Sequence, residues 1–233
     1  MVTGDSRLQS DVLEDLSDAH KYRRWLADLG RPHLGDDPIE IGSGNGDYAL
    51  EWVPGPQRFT ATEADDSRHE ALAKRFAGHD VIEVRKLLLP AADASATHSA
   101  AVAYNVLEHI PDHVGALRGM AALVVPQGAI VVIVPAFPSA MSRFDRAIGH
   151  ERRYTKASLQ AALTEAGLTI QELRYINPLG LLSWYVTVKA LRMTPRNGLL
   201  LRVYDRSVVP LARFADRHVR SPFGQSLFAV ARV

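Results

Sequence analysis

Short apolar runs alternate with amphipathic stretches along most of the chain. Five of the runs predict strands, at residues 37–41, 58–65, 81–87, 99–106 and 128–136. The segments between them have helical periodicity, and the helix predicted over 67–78 has Ser67 as its cap and Gly78 as its stop. A further helix over 156–165 precedes a sixth strand over 168–176. This alternation predicts a parallel, doubly wound α/β sheet with its ligand site at the carboxyl ends of the strands.

Two helical regions lie outside this alternating pattern. Residues 11–29 have apolar positions at helical spacing, and residues 177–223 are amphipathic over a length that needs several helices. The last residues alternate like one more strand. We therefore predict a single domain over 1–233, with an N-terminal helical cap over 1–36, a cofactor-binding core over 37–176, a helical insertion over 177–223 and a last strand over 224–233.

Composition excludes several function classes. The chain has 27 Lys and Arg against 26 Asp and Glu, so its charge of +1 gives no overall field that favours a nucleic-acid partner. The absence of cysteine excludes disulfides, cysteine-ligated metals and cysteine nucleophiles. The first residues lack the basic and apolar segments of a signal peptide, and no apolar run is long enough to span a bilayer. We expect a cytoplasmic protein.

The stretch "IEIGSGNGDYAL", residues 39–50, predicts a strand, a glycine turn and a helix start. Its glycines, Gly42, Gly44 and Gly46, have the spacing G-x-G-x-G, whereas dinucleotide sites need G-x-G-x-x-G. Asp47 places a negative charge where a pyrophosphate would bind. The turn therefore favours a cofactor with a cationic amino group and disfavours a nicotinamide dehydrogenase.

Two glutamates accompany this turn. Glu40 lies two residues before Gly42, so strand alternation keeps it on the side of the turn. Glu63 ends the second predicted strand, where a carboxylate can accept both hydroxyls of a ribose. Together with the glycine spacing, these positions favour S-adenosylmethionine over NAD.

The chain resembles the class I S-adenosylmethionine-dependent methyltransferases of the broad small-molecule group. The resemblance covers roughly residues 22–175 and rests on five segments in order: "IEIGSGNGDY", "ATEAD", "NVLEHIPD", "GAIVVIVPA" and "GHERRYTKASLQAALTEAGL". It implies a Rossmann-like sheet of order 3-2-1-4-5-7-6 with strand 7 antiparallel. It also implies S-adenosylmethionine as cofactor and a small-molecule acceptor, for which we expect a hydroxyl oxygen of a sugar or secondary metabolite. An N- or C-methyltransferase and a non-catalytic S-adenosylmethionine-binding regulatory or scaffold protein stay open.

The resemblance and the pattern together give the cofactor-binding candidates, which are Glu40, Gly42, Gly44, Gly46, Glu63, Asn105 and Tyr22. Tyr22 and Trp25 lie on the N-terminal helix and either cover the cofactor or only dock that helix. Nucleic-acid amino methyltransferases carry Asn/Asp-Pro-Pro-Tyr after strand four, and "YNVLEH" lacks it. We therefore expect no nucleic-acid substrate.

Two histidines are candidate general bases, His109 in "LEHIPD" and His150 in "GHERRYT". In the ubiquinone-biosynthesis O-methyltransferases a segment similar to the first supplies two Glu and one His to a metal. Glu108 and His109 match that pattern, but Asn105 stands where the first Glu would be, so we expect no metal.

The candidate substrate-binding residues are Arg143, Arg152, Tyr154 and Trp184. For Arg152 and Arg153 the alternative is an Arg, Asp and Tyr hydrogen-bond cluster that fixes the loop.

The insertion is strongly basic. Between residues 189 and 220 it holds eight cationic side chains against Asp205 and Asp216, and these eight are Lys189, Arg192, Arg196, Arg202, Arg206, Arg213, Arg217 and Arg220. Apolar residues lie between them. Such a segment is typical of a contact with an anionic membrane or a lipid-linked acceptor, of a lid over the acceptor pocket, and of a homodimer interface. A phosphate-bearing substrate also fits the arginines.

Overall fold

One seven-stranded sheet organises the computed structural model, which describes residues 19–90, 95–191 and 199–233. The strands are β1 (Pro38–Glu40), β2 (Phe59–Glu63), β3 (Ile82–Lys86), β4 (His98–Tyr104), β5 (Val124–Pro135), β6 (Thr169–Ile176) and β7 (Ser226–Arg232). Their order is β3-β2-β1-β4-β5-β7-β6. Strands β1 to β5 pair in parallel, and β7 runs antiparallel to both β5 and β6. The Rossmann-like fold prediction is confirmed.

Helices flank the sheet and follow its strands. They are α1 (His20–Gly30), α2 (Asp47–Trp52), α3 (Asp66–Arg75), α4 (His113–Leu123), α5 (Arg143–Ala147), α6 (Lys156–Glu165), α7 (Pro178–Trp184), α8 (Leu199–Val203) and α9 (Val209–His218). The bounds of α6 are those predicted. The predicted cap of α3 is wrong: Asp65, not Ser67, is the N-cap, and its carboxylate accepts a hydrogen bond from the Arg68 amide at 3.0 Å.

Strands β1, β2, β4, β5 and β7 are buried on both faces over most of their length, which explains their apolar runs, whereas the edge strands β3 and β6 are partly exposed. On one face, side chains of α4 and α6 such as Leu117 and Leu159 pack on β1, β4 and β5. On the other, Leu26, Trp52 and Leu72 of α1, α2 and α3 form the second layer. The two layers leave the carboxyl ends of β1, β2 and β4 at one edge of the sheet, as a parallel sheet requires.

The helical insertion lies between β6 and β7, as predicted. It consists of α7, α8 and α9, with π-helical turns at Tyr185–Ala190 and Tyr204–Val208. Arg192 and Arg196, and the predicted helix before residue 19, lie outside the described residues. The division of the chain at residues 36, 176 and 223 stays a prediction. Among the described helices, none combines the length and the apolar character that a membrane span requires.

Candidate functional site

The glycine turn joins β1 to α2 beside the segment that follows β4. Gly42, Gly44 and Gly46 have φ angles of +68°, +54° and +78°, which L side chains rarely adopt. A Cβ atom on Gly42 would lie 2.9 Å from a methyl group of Val106. Asn105, the residue after β4, is in the same left-handed region, with φ of +55°, and its side chain is exposed. The predicted cofactor residues of β1 and β4 therefore meet at one edge of the sheet.

Glu63 connects this turn to the end of β2. Its Oε2 atom accepts a hydrogen bond from the Gly44 amide at 3.1 Å. Its Oε1 atom accepts from the amides of Ala64 and Asp65 at 2.9 and 3.0 Å and from Arg68 Nη2 at 3.3 Å. The carboxylate is fixed where the sequence predicted it, and its contact with a ribose stays a prediction.

Glu40 is a buried carboxyl group whose two oxygens differ in their hydrogen bonding. Its side chain accepts a hydrogen bond from Ser43, but Oε2 has no hydrogen-bond partner in the described part of the chain. Burial raises the pKa of Glu40 to about 8, and the negative charges of Asp47 and Glu63 add to this rise. A cationic ligand group would relieve both the desolvation and the repulsion. This acidic surrounding fits S-adenosylmethionine, which carries an amino group and a sulfonium, better than a pyrophosphate.

The two aromatic residues of α1 are directed toward the insertion. Trp25 is buried against Val209 and Ala212 of α9. Tyr22 packs edge-on against Trp25, with ring centroids 5.9 Å apart, and its hydroxyl hydrogen-bonds to Asn177. Burial raises the pKa of the Tyr22 hydroxyl. Trp25 thus docks the N-terminal helix, while a contact of Tyr22 with the cofactor stays a prediction.

The two candidate bases lie together. Glu108 and His109 follow β4, and His150 follows α5; one ligand atom from each of the three side chains lies within 4.8 Å of the others. The imidazole centroids of His109 and His150 are 4.7 Å apart and their planes are 79° apart. The Nε2 atom of His150 lies 3.8 Å from Oε1 of Glu108. The sequence predicted both histidines without predicting that they are neighbours.

Asp145 orients His150, a role that the sequence did not assign to it, although it lies in the polar loop predicted to meet the substrate. Its Oδ1 atom lies 2.9 Å from Nδ1 of His150 and accepts hydrogen bonds from Arg153 Nε and Nη2 at 3.0 and 2.7 Å. Its Oδ2 atom accepts from the backbone and the hydroxyl of Ser142, both at 2.6 Å. Burial raises the pKa of Asp145, but the hydrogen bond with His150 and the charge of Arg153 outweigh it and hold that pKa well below its usual range. The available signal was the Ser-x-x-Asp capping box at residues 142–145.

The two neighbours of His150 in this cluster, Glu108 and His109, have shifted pKa values. Burial raises the pKa of Glu108 to about 7, although the charge of His150 lowers it in part. Burial lowers the pKa of His109 to about 4, and the charges of His150 and Arg68 lower it further. His109 is therefore neutral at pH 7. Arg68 also forms the ion pair with Glu63, so one cation influences both the carboxylate at the predicted ribose position and His109.

One carboxylate and two imidazoles are a donor set that binds divalent transition metals. In Glu108, both oxygens are buried and neither has a hydrogen-bond partner on another described residue. These three side chains are the group that could hold a metal ion here. The expectation that the reaction uses no metal stays a prediction, tested below.

Two of the four predicted substrate-binding residues hold the loop in place. The guanidinium of Arg152 donates to three carbonyl groups of the 107–111 segment, two of them at 3.2 and 2.9 Å. Tyr154 is 1% exposed; its hydroxyl donates to the same segment at 3.3 Å and lies 3.2 Å from Nδ1 of His113. The Arg–Asp pair of the alternative left open is made by Arg153 with Asp145, whereas Arg152 and Tyr154 bond mainly to backbone carbonyls. A contact of either residue with substrate stays a prediction.

The other two lie at the periphery of this loop. Trp184 of α7 donates from Nε1 to the Ala140 carbonyl at 3.0 Å. The Arg153 guanidinium carbon lies 4.6 Å from the centroid of the Trp184 ring. Arg143 is exposed. The insertion thus packs through Trp184 on the loop that presents His150.

A family model described as a methyltransferase domain matches residues 13–173 of the chain. No curated protein matches the sequence closely enough to count as a relative.

Several solved structures have the same fold. A putative methyltransferase of Haloferax volcanii, in complex with the activator Trm112, is 13% identical, with a TM-score of 0.65 over 93% of this chain and 91% of its own. A geranyl diphosphate methyltransferase in complex with S-adenosylmethionine is 14% identical, with a TM-score of 0.64 over 90% of this chain and 84% of its own. A putative methyltransferase of Bacillus halodurans is 15% identical, with a TM-score of 0.61 over 89% and 97%. At these sequence identities the similarity shows a shared fold and no more.

Proposed function

We propose a reaction for this chain from the premise that it belongs to the methyltransferase-domain family and uses S-adenosylmethionine as its cofactor. The reaction is methyl transfer to a hydroxyl oxygen of a small molecule, with a sugar or secondary metabolite as the acceptor. The observation that carries the proposal is the pair formed by His150 and the buried carboxylate of Asp145.

This pair is suited to accept a proton. Asp145 stays ionised, so it accepts a hydrogen bond from Nδ1 of His150 and leaves Nε2 as the basic nitrogen. The same carboxylate stabilises the imidazolium that forms when Nε2 takes up a proton. A hydroxyl acceptor has a proton to lose during methylation, and a placed base accelerates such a step by roughly 10² to 10⁴-fold.

The remaining residues provide binding and a suitable electrostatic environment. When bound, S-adenosylmethionine supplies an electrophilic methyl group on a sulfonium. Glu63 provides acceptors for its hydroxyl groups, and Glu40 provides negative charge for its cationic part once that cation has displaced the Glu40 proton. The neutral His109 adds no opposing charge. With the cofactor bound, the oxygen–methyl bond would form as the sulfur–methyl bond breaks, and Nε2 of His150 would take up the acceptor's proton. The products are a methyl ether, S-adenosylhomocysteine and one proton.

A small-molecule acceptor is supported by the neighbour named as a geranyl diphosphate methyltransferase. The structure adds that the loop of His150 is covered by Trp184 of the insertion, a segment that varies independently of the fold. Nitrogen and carbon acceptors are the rivals. An uncharged amine attacks the methyl group through its lone pair and loses its proton only afterwards, whereas a carbon acceptor loses a proton from carbon instead of oxygen.

The test measures the release of S-adenosylhomocysteine. The acceptors are supplied in pairs that share one carbon skeleton, one carrying a hydroxyl group and the other an amine. We expect turnover of the alcohols, and a His150→Gln variant with kcat lowered about 10² to 10⁴-fold and unchanged cofactor affinity. His20→Gln, at an exposed histidine of α1, is the matched control. Turnover of the amines alone, or an unchanged rate in His150→Gln, would contradict the proposal.

A further inference from the structure

Exposed apolar side chains are concentrated in the insertion. Of the ten large apolar side chains that are exposed in the described part of the chain, eight lie between residues 182 and 223: Leu182, Val186, Leu191, Val203, Leu211, Phe214, Val219 and Phe223. The other two, Leu50 and Leu88, lie apart from the insertion, one in α2 and one in the segment after β3. Single exposed apolar residues are ordinary, but a concentration of them marks a binding surface.

Four of these side chains lie on the outer sides of helical segments whose inner sides are already buried. In α7 and the π-helical turn after it, Leu181 and Val188 are buried while Leu182 and Val186 are exposed. In α9, Val209 and Ala212 pack against Trp25, and Leu211 and Phe214 are 63% and 64% exposed. The fold therefore does not require apolar residues at the outer positions.

The charged side chains of the insertion also divide into exposed cations and acids that face the interior. Lys189, Arg202, Arg206, Arg217 and Arg220 are exposed. Asp205 is buried and accepts hydrogen bonds from the amides of Lys21 and Tyr22, at 3.1 and 2.8 Å. Asp216 is half-buried and accepts from the Asn177 amide at 3.1 Å. Both acids of the insertion serve internal hydrogen bonds, so the outer surface combines apolar and cationic side chains.

We propose that this outer surface, formed by residues 182–191 and 201–220, binds peripherally to anionic phospholipid membranes. Apolar side chains enter the boundary of the acyl chains, and arginines beside them reach the phosphates. Each cation near an anionic membrane surface strengthens the binding. A nucleic acid would leave the leucines and Phe214 in water, and a second copy of the chain would bring like charges together. The proposal is the membrane alternative of the three that the sequence left open.

The membrane surface so placed adjoins the candidate site. The helical segment that exposes Leu182 and Val186 also carries Tyr185, whose hydroxyl lies 2.7 Å from the Ser139 hydroxyl in the loop after β5. This geometry favours a hydroxyl-bearing amphiphile as the acceptor class, an extension that rests on the proposed function. The docking itself does not depend on the reaction.

The experiment is flotation of the full chain with vesicles of phosphatidylcholine alone or mixed with phosphatidylglycerol. We expect binding to the mixed vesicles that weakens as salt is added, because exposed charges are screened. The double variants Leu211→Ser with Phe214→Ser, and Arg217→Glu with Arg220→Glu, should each lower the partition coefficient about tenfold or more. The matched controls are Leu50→Ser with Leu88→Ser, and Lys74→Glu with Arg85→Glu, all at exposed positions outside the insertion. S-adenosylhomocysteine affinity verifies that each variant is folded.

Three results would overturn the docking: no binding to mixed vesicles, equal binding to neutral and mixed vesicles, or equal losses in the control variants. A concentration-dependent dimer that Phe214→Ser abolishes, without vesicle binding, would assign the surface to a second copy. The acceptor extension predicts that a long-chain alcohol in mixed vesicles is methylated faster than its short-chain analogue. Vesicle binding without any methyl transfer would contradict the proposed function and leave the docking standing.

Discussion

The Oδ1 atom of Asp145 lies 2.9 Å from Nδ1 of His150 while it also accepts two hydrogen bonds from Arg153. One buried carboxylate therefore fixes a candidate base and neutralises a buried cation. Asp145 has two separable roles, the orientation of the imidazole and the pairing of the guanidinium. Variants can distinguish them.

Asp145→Asn should lower kcat, because an amide can no longer hold His150 with a proton on Nδ1 and stabilise its cation. We expect a loss of about 10² to 10³-fold in kcat with cofactor affinity unchanged, and a shift in the pH profile of kcat. Steady-state kinetics over a pH range measure both. Arg153→Gln is the control, since it removes the ion pair and leaves the contact between His150 and Asp145. An equal loss of kcat in both variants, without a shift of the pH profile, would show that Asp145 is structural only.

Glu63→Ala should weaken binding of S-adenosylhomocysteine by about 1 to 3 kcal/mol, through the loss of charge-assisted hydrogen bonds. The structure adds an indirect contribution, because the same carboxylate holds the Gly44 amide and the end of β2. Glu63→Gln, which keeps the size of the side chain, should therefore lose less than Glu63→Ala. Calorimetric titration measures the affinities, with Glu83→Ala, at an exposed position of β3, as control. Wild-type affinity in Glu63→Ala would refute the ribose assignment.

Glu40 should make cofactor binding dependent on pH. Its pKa of about 8 in the folded protein exceeds the ordinary value, so the folded protein favours the protonated form. The stabilising effect is complete below the ordinary pKa and is lost as the pH rises toward 8. A cationic ligand favours the ionised form instead. Affinity for S-adenosylhomocysteine should therefore increase between pH 6 and 8, by up to about tenfold per pH unit, with release of a proton.

Calorimetric titrations in buffers of different ionisation enthalpy measure this proton release directly. Glu40→Gln should bind more weakly at pH 8 and lose most of the pH dependence. Glu108→Gln tests how much of the pH dependence comes from the second buried carboxyl group. The pKa of Glu108 is about 7, and its effect on stability has the same sign as that of Glu40. A pH dependence that survives in Glu40→Gln would assign the proton to another group.

The fold was predictable from the sequence because each strand and helix carries its own periodic signal. The bounds of α6 match because Thr155 and Gly167 mark its two ends. The cap of α3 was misassigned because two acids precede Ser67, and only the backbone path shows which side chain reaches the free amides. The local sequence pattern thus predicts where a helix lies more reliably than it predicts which side chain caps it.

The site was predictable only as a set of residue types. His109 and His150 stand out as histidines after strands, but their contact depends on how the loop after β5 folds back on the 107–111 segment. Arg152 and Tyr154 make that fold-back possible from buried or half-buried positions. Their polar side chains in one loop suggested that they meet a substrate. Tertiary hydrogen bonding of a loop leaves no periodic signal, so such roles emerge only in the structure.

Removal of metal should leave the reaction intact. If Nε2 of His150 accepts the acceptor's proton, a cation bound by Glu108, His109 and His150 would occupy the base. Dialysis against a chelator should therefore not lower kcat, and added Zn²⁺ should inhibit. Glu108→Gln should reduce that inhibition. Loss of activity on chelation, restored by a divalent cation, would show instead that the three side chains form a metal centre.

Asn177 should be a main contributor to the stability of the insertion. It is fully buried and left-handed, with φ of +57°, and its Oδ1 atom caps α7 through the Gly180 amide at 2.9 Å. Its Nδ2 atom donates to the Tyr204 hydroxyl and to Gln225 Oε1, at 2.9 and 2.8 Å. Asn177→Ala should lower the free energy of unfolding by about 2 to 4 kcal/mol, because it removes the cap, leaves buried groups unpaired and strains the backbone.

Denaturant unfolding of matched variants separates these causes. Asn177→Gly loses the same hydrogen bonds but tolerates the left-handed backbone, so it should be more stable than Asn177→Ala by about 1 kcal/mol. Asn105 is the control, since it is left-handed and exposed, and Asn105→Ala should cost only the strain, about 1 kcal/mol. If Asn177→Ala costs no more than Asn105→Ala, the buried hydrogen bonds of Asn177 do not stabilise the insertion.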